Sequence, residues 1–402
     1  MREGWETKPL GEVCSFLNRG ISPRYIETGG IRVLNQKCIR DHRVGYAPSR
    51  RHDSAEKKVG SERLIQKGDV LVNSTGTGTL GRVAQLREAP AEPTTVDSHV
   101  TIVRPTPGKF YPEFFGYMLL IIEDAIKDAG EGCGGQTELA RSTLAEKFLV
   151  RYPKSIPEQQ RIVDLLDEAF SGIATAKGNT EKNLKSARAI FESSLQSVVA
   201  DIWSTSELVT LADLATDITD GDHLPPPKAP TGVPFITIGN VVKETRQIDF
   251  SDTFTVPRDY YDSLKAHKKP KHGDVLYTVT GSFGIPVMVP EGVEFCFQRH
   301  IGLIRPKPDT SSAWLYYLLL SPQLFKQADD GATGTAQRTV SLKLLRSFNV
   351  PKLPQKQQNA VVAKLDALAA ETQRLADIYR QKLAAVEALK KSMLHDAFSG
   401  KL

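Results

Sequence analysis

Apolar residues are arranged along this chain in two alternating regimes. Over roughly the first 150 residues, short β-branched and aromatic runs are broken by Gly and Pro, which predicts strands and turns. Over 153–202 the spacing changes, and Ile162, Leu166, Ala169, Ile173 and Ala176 step by four and three. The strand-like regime returns over 203–350 and the helical one over 351–402. There Val361, Leu365, Leu368, Thr372, Leu375 and Tyr379 repeat the same steps. Such alternation predicts two long helices with a coiled-coil seam.

The helix ends are marked as well. Pro157 and Pro354 suit a first helical turn, and Ser155 three residues before Glu158 resembles a capping box. The second helix should stop at Gly400. The first contains Gly172 and Gly178, each costing about 1 kcal/mol against alanine. A bend near Gly178, or a break with the helix resuming at Glu181, is therefore expected.

The two halves also correspond residue by residue. Leu10-Gly11-Glu12-Val13 is echoed by Leu211-Ala212-Asp213-Leu214. Gly68-Asp69-Val70-Leu71 matches Gly273-Asp274-Val275-Leu276, and His99 in VDSHVTIVRP matches His300 in FQRHIGLIRP. FFGYMLLII is followed by LYYLLL, Gln136 by Gln337, and PKSIPEQQRIVDLLD by PKLPQKQQNAVVAKLD. Offsets between partners stay between 199 and 205 residues, a register that chance does not hold, so the chain is a duplication. Two amphipathic helices that cannot leave their stripes in water would pack on each other. Packed antiparallel, they would make a pseudo-twofold dumbbell. A helix of roughly 40 residues is about 60 Å long, more than one turn of B-DNA at about 34–36 Å.

Composition narrows the class of protein. The 402 residues are 40% hydrophobic and 25% charged, as in globular proteins of two or three domains. A net charge of +5 and a pI near 8.8 suit a polyanionic partner without demanding one. Cys14, Cys38, Cys133 and Cys296 show no CxxC spacing, which speaks against a zinc site or disulfide framework and for a reducing compartment. The start, MREGWETKPLGEV, lacks the apolar run of a signal peptide, and the apolar stretches at 114–122 and 314–320 are short for a membrane helix. A cytoplasmic protein is expected.

Several residue groups suit DNA. The loop Asn73-Ser74-Thr75-Gly76-Thr77-Gly78-Thr79-Leu80-Gly81-Arg82 offers backbone amides and uncharged donors to a phosphate. Its match is Thr278-Val279-Thr280-Gly281-Ser282-Phe283-Gly284. A plain β-turn explains either loop alone; recurrence in both halves favours binding. Basic clusters lie outside the shared skeleton: Arg40, Arg43, Arg50, Arg51, His52, Lys57 and Lys58 in the first half, Lys265, His267, Lys268, Lys269, Lys271 and His272 in the second. Lys and Arg release counterions from phosphate, and Arg also grips guanine edges. A solvated face is the duller reading of such runs. His99 and His300, the latter beside Arg299, could bond DNA or be satisfied within the fold. Gln136 with Arg141, and Gln337 with Arg338, suit adenine and guanine edges or a loop cap. Tyr117, Tyr316 and Tyr317 sit in apolar runs that read as core.

Catalytic signatures are missing from the sequence. There is no Asn/Asp-Pro-Pro-aromatic motif for a flipped adenine, no GxxxxGK[ST] loop, and no HExxH, GxSxG or Cys/His cluster.

With its proline-then-EQQRIV helix starts, its paired GDVL strands and its C-terminal AFSGKL, the whole chain resembles the specificity subunit of a Type I restriction–modification enzyme. That resemblance implies an α+β fold. Two β-rich target-recognition domains (1–152 and 203–350) would be joined by two conserved helical regions (153–202 and 351–402) packed as an antiparallel coiled coil. It further implies a non-catalytic chain that reads a bipartite double-stranded DNA target. The helices would fix the spacer and recruit modification subunits, two in number, with restriction subunits joining in some systems. S-adenosylmethionine, ATP and Mg would belong to those partners, with no metal or cofactor in this chain. Gln355 and Lys356 depart from the spacing after Pro157, and the glycines weaken the ruler on one side. Base-contacting residues do not carry over within such a family. A coiled-coil scaffold whose heads bind proteins, and a nuclease with a sparse metal site, are the competing readings.

Overall fold

The computed structural model describes residues 4–130, 137–335 and 337–402. The chain divides into two compact units, Met1–Thr180 with Gln381–Leu402, and Glu181–Arg380. Each contains one β-rich head and part of both long helices.

In the first unit the head is closed at its base by Trp5–Pro9 pairing antiparallel with Leu149–Pro153. Its main sheet has the spatial order Cys14–Arg19, Val100–Pro105, Val70–Asn73, Val83–Gln85, all antiparallel. A second sheet orders Thr94–Val96, Ile31–Leu34, Arg50–His52 and Tyr25–Ile26, its first pair parallel. Strand Val70–Asn73 is buried throughout because it serves two cores. Val70 and Val72 join Val83 and Val103 against Phe114, Phe115 and Met118 of helix Pro112–Leu120. Leu71 turns the other way, onto Leu34, Ile39, Val96 and Ile102. Opposite faces of one strand at a period of two explain why the GDVL run reads as continuously apolar.

The second unit repeats this plan. Leu208–Thr210 pairs with Asn349–Pro351. The main sheet runs Ala215–Asp220, Ile301–Pro306, Val275–Thr278, Pro286–Met288, and a three-stranded sheet runs Phe254–Val256, Val233–Ile236, Cys296–Phe297. Val275 and Tyr277 pack on Trp314, Leu315 and Leu318, while Leu276 faces Ile236, Phe295 and Phe297.

Two glycines at equivalent places show how tightly the sheets meet. A Cβ on Gly20 would lie 2.0 Å from the Val96 carbonyl oxygen, and one on Gly221 would lie 1.9 Å from that of Phe297. No side chain fits where these backbones pass.

The long helices span Ile156–Thr205 and Gln355–Ser399. Within the first unit, Ile162 and Leu166 pack with Leu394, Ala397 and Phe398, and Lys177 pairs with Glu387 at 2.7 Å. Rising numbers on one helix meet falling numbers on the other, so the packing is antiparallel. Within the second unit, Leu195 and Val199 pack with Leu365 and the partly buried Val361. Three expectations need correction. The first helix is not interrupted near Gly178 but runs unbroken past Gly172 and Gly178, because both glycines face open space and demand no break. Ala176 is exposed, and the seam continues instead through buried Thr180, whose hydroxyl donates to the Ala176 carbonyl oxygen at 2.7 Å. Pro354 lies just before its helix rather than within it, its carbonyl accepting from the Gln357 and Gln358 amides.

Candidate DNA-recognition surface

Most of the repeated residues turn out to hold the frame. Arg104 donates from Nε and Nη2 to the two oxygens of buried Asp69, and Arg305 grips Asp274 in the same way. Gln159 donates to the Pro153 carbonyl and accepts from the Tyr111 amide, clamping helix start to head. Gln358 does the same with Leu353 and Ser311. The Tyr117 hydroxyl donates to Asp167, and that of Tyr317 donates to Asp366 at 2.5 Å, so these tyrosines tie the heads to the helices.

What remains for recognition lies at one end of each main sheet. Here the loop after Val70–Asn73, the turn at 97–99 and the segment 137–139 converge. The Ser74 amide donates to the His99 carbonyl, the Gly76 amide to Thr137, and the Leu139 amide to Ser74. Not all candidate residues of that loop face outward. Asn73 and Ser74 are buried, Asn73 donating to the Gln36 carbonyl at 3.2 Å and Ser74 bonding Thr101 at 2.5 Å. In the second head Thr278 is buried, donating to the Ser282 carbonyl and accepting from the Ile285 amide, and Thr280 is buried as well. These four are corrected from surface donors to loop braces, because short hydroxyl and amide side chains under a loop satisfy its backbone. Arg82 also braces its loop, donating to the Gly78 carbonyl at 3.0 Å. Thr77 and Ser282 are exposed at the tips. Thr75 bonds His99 Nδ1 at 2.8 Å and holds this exposed ring in place.

The basic clusters divide in the same way. Arg40 and Arg43 are exposed on a two-residue hairpin whose central Asp41 and His42 have φ of 51° and 58°. Arg50 is exposed and lies 3.5 Å over the Tyr25 ring. Arg51 is engaged by both oxygens of Glu92, and Lys57 donates to the Ser22 carbonyl. Lys58 is exposed, while His52 is a core histidine bonded to the Lys57 carbonyl and the Arg24 amide. In the second head Lys265 and Lys271 are exposed. Lys268 donates to the Gly221 carbonyl, and Lys269 donates to that of Asp262 above the Tyr261 ring. Arg299 is exposed beside half-buried His300, whose protonation is disfavoured by burial and then by the Arg299 charge. Arg141 is exposed at the first residue of its helix. Gln337 is exposed, and Arg338 pairs with Asp329 at 2.6 Å over the Phe283 ring. Gln136 lies outside the described residues.

A cleft of about 1610 Å³ in the first unit is lined by Arg32, Lys37, Arg40, Arg43, Arg87 and Lys390 among others. One of about 1060 Å³ in the second unit carries Lys243, Arg246, Gln337 and Arg338 beside Phe283 and Phe325. Lys243 and Arg246 were missed as candidates. They lie in the turn of the hairpin that pairs Val241–Val242 with Gln247–Ile248, the counterpart of the Arg40–Arg43 hairpin, so extending the repeat register would have found them. Among the described residues no cluster of His, Cys, Asp and Glu could hold a metal ion, and no helix is long and apolar enough to cross a membrane.

A duplicated β-rich head on paired antiparallel helices, with polar loops and cations at the end of each main sheet, is the build of a recognition subunit. The family model for the Type I restriction modification DNA specificity domain matches residues 2–185 and again 204–385, and the chain belongs to that family. It is accordingly a subunit that recognises DNA, not a catalytic one. The MjaX type I restriction enzyme specificity subunit of Methanocaldococcus jannaschii is 21% identical over 427 residues, covering 100% of this chain and 94% of that protein. The EcoBI specificity subunit of Escherichia coli is 20% identical over 338 residues, 78% of this chain and 70% of its own. Among solved structures, a chain from work on assembly and conformational transition of the type I R-M system superposes with a TM-score of 0.79 at 18% identity. It covers 100% of this chain and 99% of its own. The HsdS subunit from Thermoanaerobacter tengcongensis gives 0.58 at 19% identity, with 100% and 98% covered.

Proposed function

We propose that this chain reads a bipartite double-stranded DNA target, each head taking one half-site, and recruits two methyltransferase subunits. Where the system carries restriction subunits, they join the same assembly. S-adenosylmethionine, ATP and Mg act on those partners, in the cytoplasm, and this chain carries no cofactor or metal. The observation that supports this most directly is the recurrence, in both units, of a polar loop beside a hairpin bearing two cations, on a frame otherwise held by the same buried ion pair. Phosphate contacts would position each head and base edges would specify it. The test is co-expression with an adenine methyltransferase subunit, followed by genome-wide mapping of methylated adenine. A single interrupted motif with one modified adenine in each half supports the reading. Inserting one helical turn near Lys177 should then change the preferred spacer. A well-formed complex that methylates at random, or not at all, overturns it and favours a scaffold.

A further inference from the structure

We infer that His99 is a base-reading residue of the first head, presented as a fixed hydrogen-bond donor through a relay from Gln36 and Thr75. This rests on the DNA-reading function proposed above and adds the chemistry by which one position is read.

The three residues are far apart in sequence and meet at the sheet end. Gln36 follows strand Ile31–Leu34, Thr75 follows Val70–Asn73, and His99 sits in the turn before Val100–Pro105. The turn itself is pinned, since the His99 amide donates to Asp97 Oδ1 at 3.0 Å and the Asp97 amide to the Leu34 carbonyl at 2.9 Å. Gln36 Nε2 donates to the Thr75 carbonyl at 2.8 Å and to Thr75 Oγ1 at 2.5 Å. Thr75 Oγ1 thus accepts from an amide that has only protons to give. Its own hydroxyl proton is then available to His99 Nδ1, 2.8 Å away. A neutral imidazole that accepts at Nδ1 carries its proton on Nε2. His99 is exposed, so this N–H is available to DNA.

A fixed donor selects acceptors. In the major groove it can donate to guanine O6 or N7, adenine N7 or thymine O4, and is repelled by the amino groups of cytosine and adenine. The second head lacks the device. Ile238, in the register of Gln36 at the first position of the matching turn, has an apolar side chain with no proton to give, and Thr280 faces Thr339 at 3.5 Å. His300 is half-buried beside Arg299. The heads therefore differ at the group that sets donor polarity, which suits a target with unlike halves.

The test uses the complex with a methyltransferase subunit and compares methylation motifs for wild type, His99→Ala, His99→Gln and Thr75→Val. His99→Ala should relax one base position in one half-site, leave the other half unchanged, and weaken cognate binding roughly 5- to 150-fold. His99→Gln, which keeps a donor, should retain more discrimination. Thr75→Val should loosen the same position. Circular dichroism confirms that each variant is folded, and His99→Gln carries the test should His99→Ala fail to fold. An unchanged motif in His99→Ala, or equal weakening on every sequence as for a phosphate contact, overturns the assignment. An unaltered motif in Thr75→Val overturns the relay. A wild-type complex with no interrupted motif instead strikes the function on which the inference rests.

Discussion

Replacing Arg104 with leucine should open the first head while leaving the second intact. The Asp69 side chain is 0% exposed and that of Arg104 14%, and the guanidinium meets the two carboxylate oxygens at 2.7 and 2.8 Å. Apart from Arg104, Asp69 accepts from the Gln66 amide at 2.9 Å. Arg104→Leu therefore strands a carboxylate in the protein interior, a change that costs about 3–5 kcal/mol. An exposed pair would cost under about 1 kcal/mol. Amide hydrogen exchange is the suitable assay, since it reads each head separately. Protection of strands 70–73 and 100–105 should fall by roughly two to three and a half orders of magnitude, while strands 275–278 and 301–306 hold. Arg305→Leu should give the mirror result, as Asp274 is 3% exposed. Adding Asp69→Asn to Arg104→Leu removes the buried charge and should recover at least about 1 kcal/mol. A loss below about 1 kcal/mol in Arg104→Leu, or no recovery in the double variant, would refute the claim that this pair braces the frame.

Further expectations can be checked on the same protein. Arg40→Ala with Arg43→Ala should lower the slope of log affinity against log salt by about 2, each phosphate contact contributing about 0.9, and an unchanged slope would remove the hairpin from the DNA surface. Gly172→Ala and Gly178→Ala should each stabilise the chain by about 1 kcal/mol in urea unfolding, since a Cβ at either meets open space within an unbroken helix. Destabilisation by either would mean that the helix needs a glycine there. Burial pushes the thiols of Cys14 and Cys296 up to about 12, so peptide-resolved alkylation at pH 8 should be slow in the folded protein and fast in urea. Fast labelling of either thiol in the native state would contradict that burial.

The duplication, the two long helices and the β-rich heads were legible in the sequence because they rest on local periodicity and on register, which need no knowledge of tertiary contacts. The Asp69–Arg104 and Gln159 clamps sat within the recognised repeats, although only the structure revealed what they do. Candidate recognition residues were harder to read. Arg40, Arg43, His99 and Gln337 proved exposed, yet Asn73, Ser74 and Thr278 looked equally suitable and are buried. Strand 70–73 is covered on both faces, so alternation carries no signal of which side chains reach solvent. Cations have the same ambiguity, for Arg51 and Arg43 look alike until Glu92, 41 residues away, is seen to hold the first. The sequence by itself determined what repeats and where the helices run. Tertiary structure alone decided which polar groups are consumed within the fold and which are offered outward. Hydrogen bonds between residues 36, 75 and 99 form only when separate loops are brought to one sheet end, and no pattern along the chain encodes that meeting.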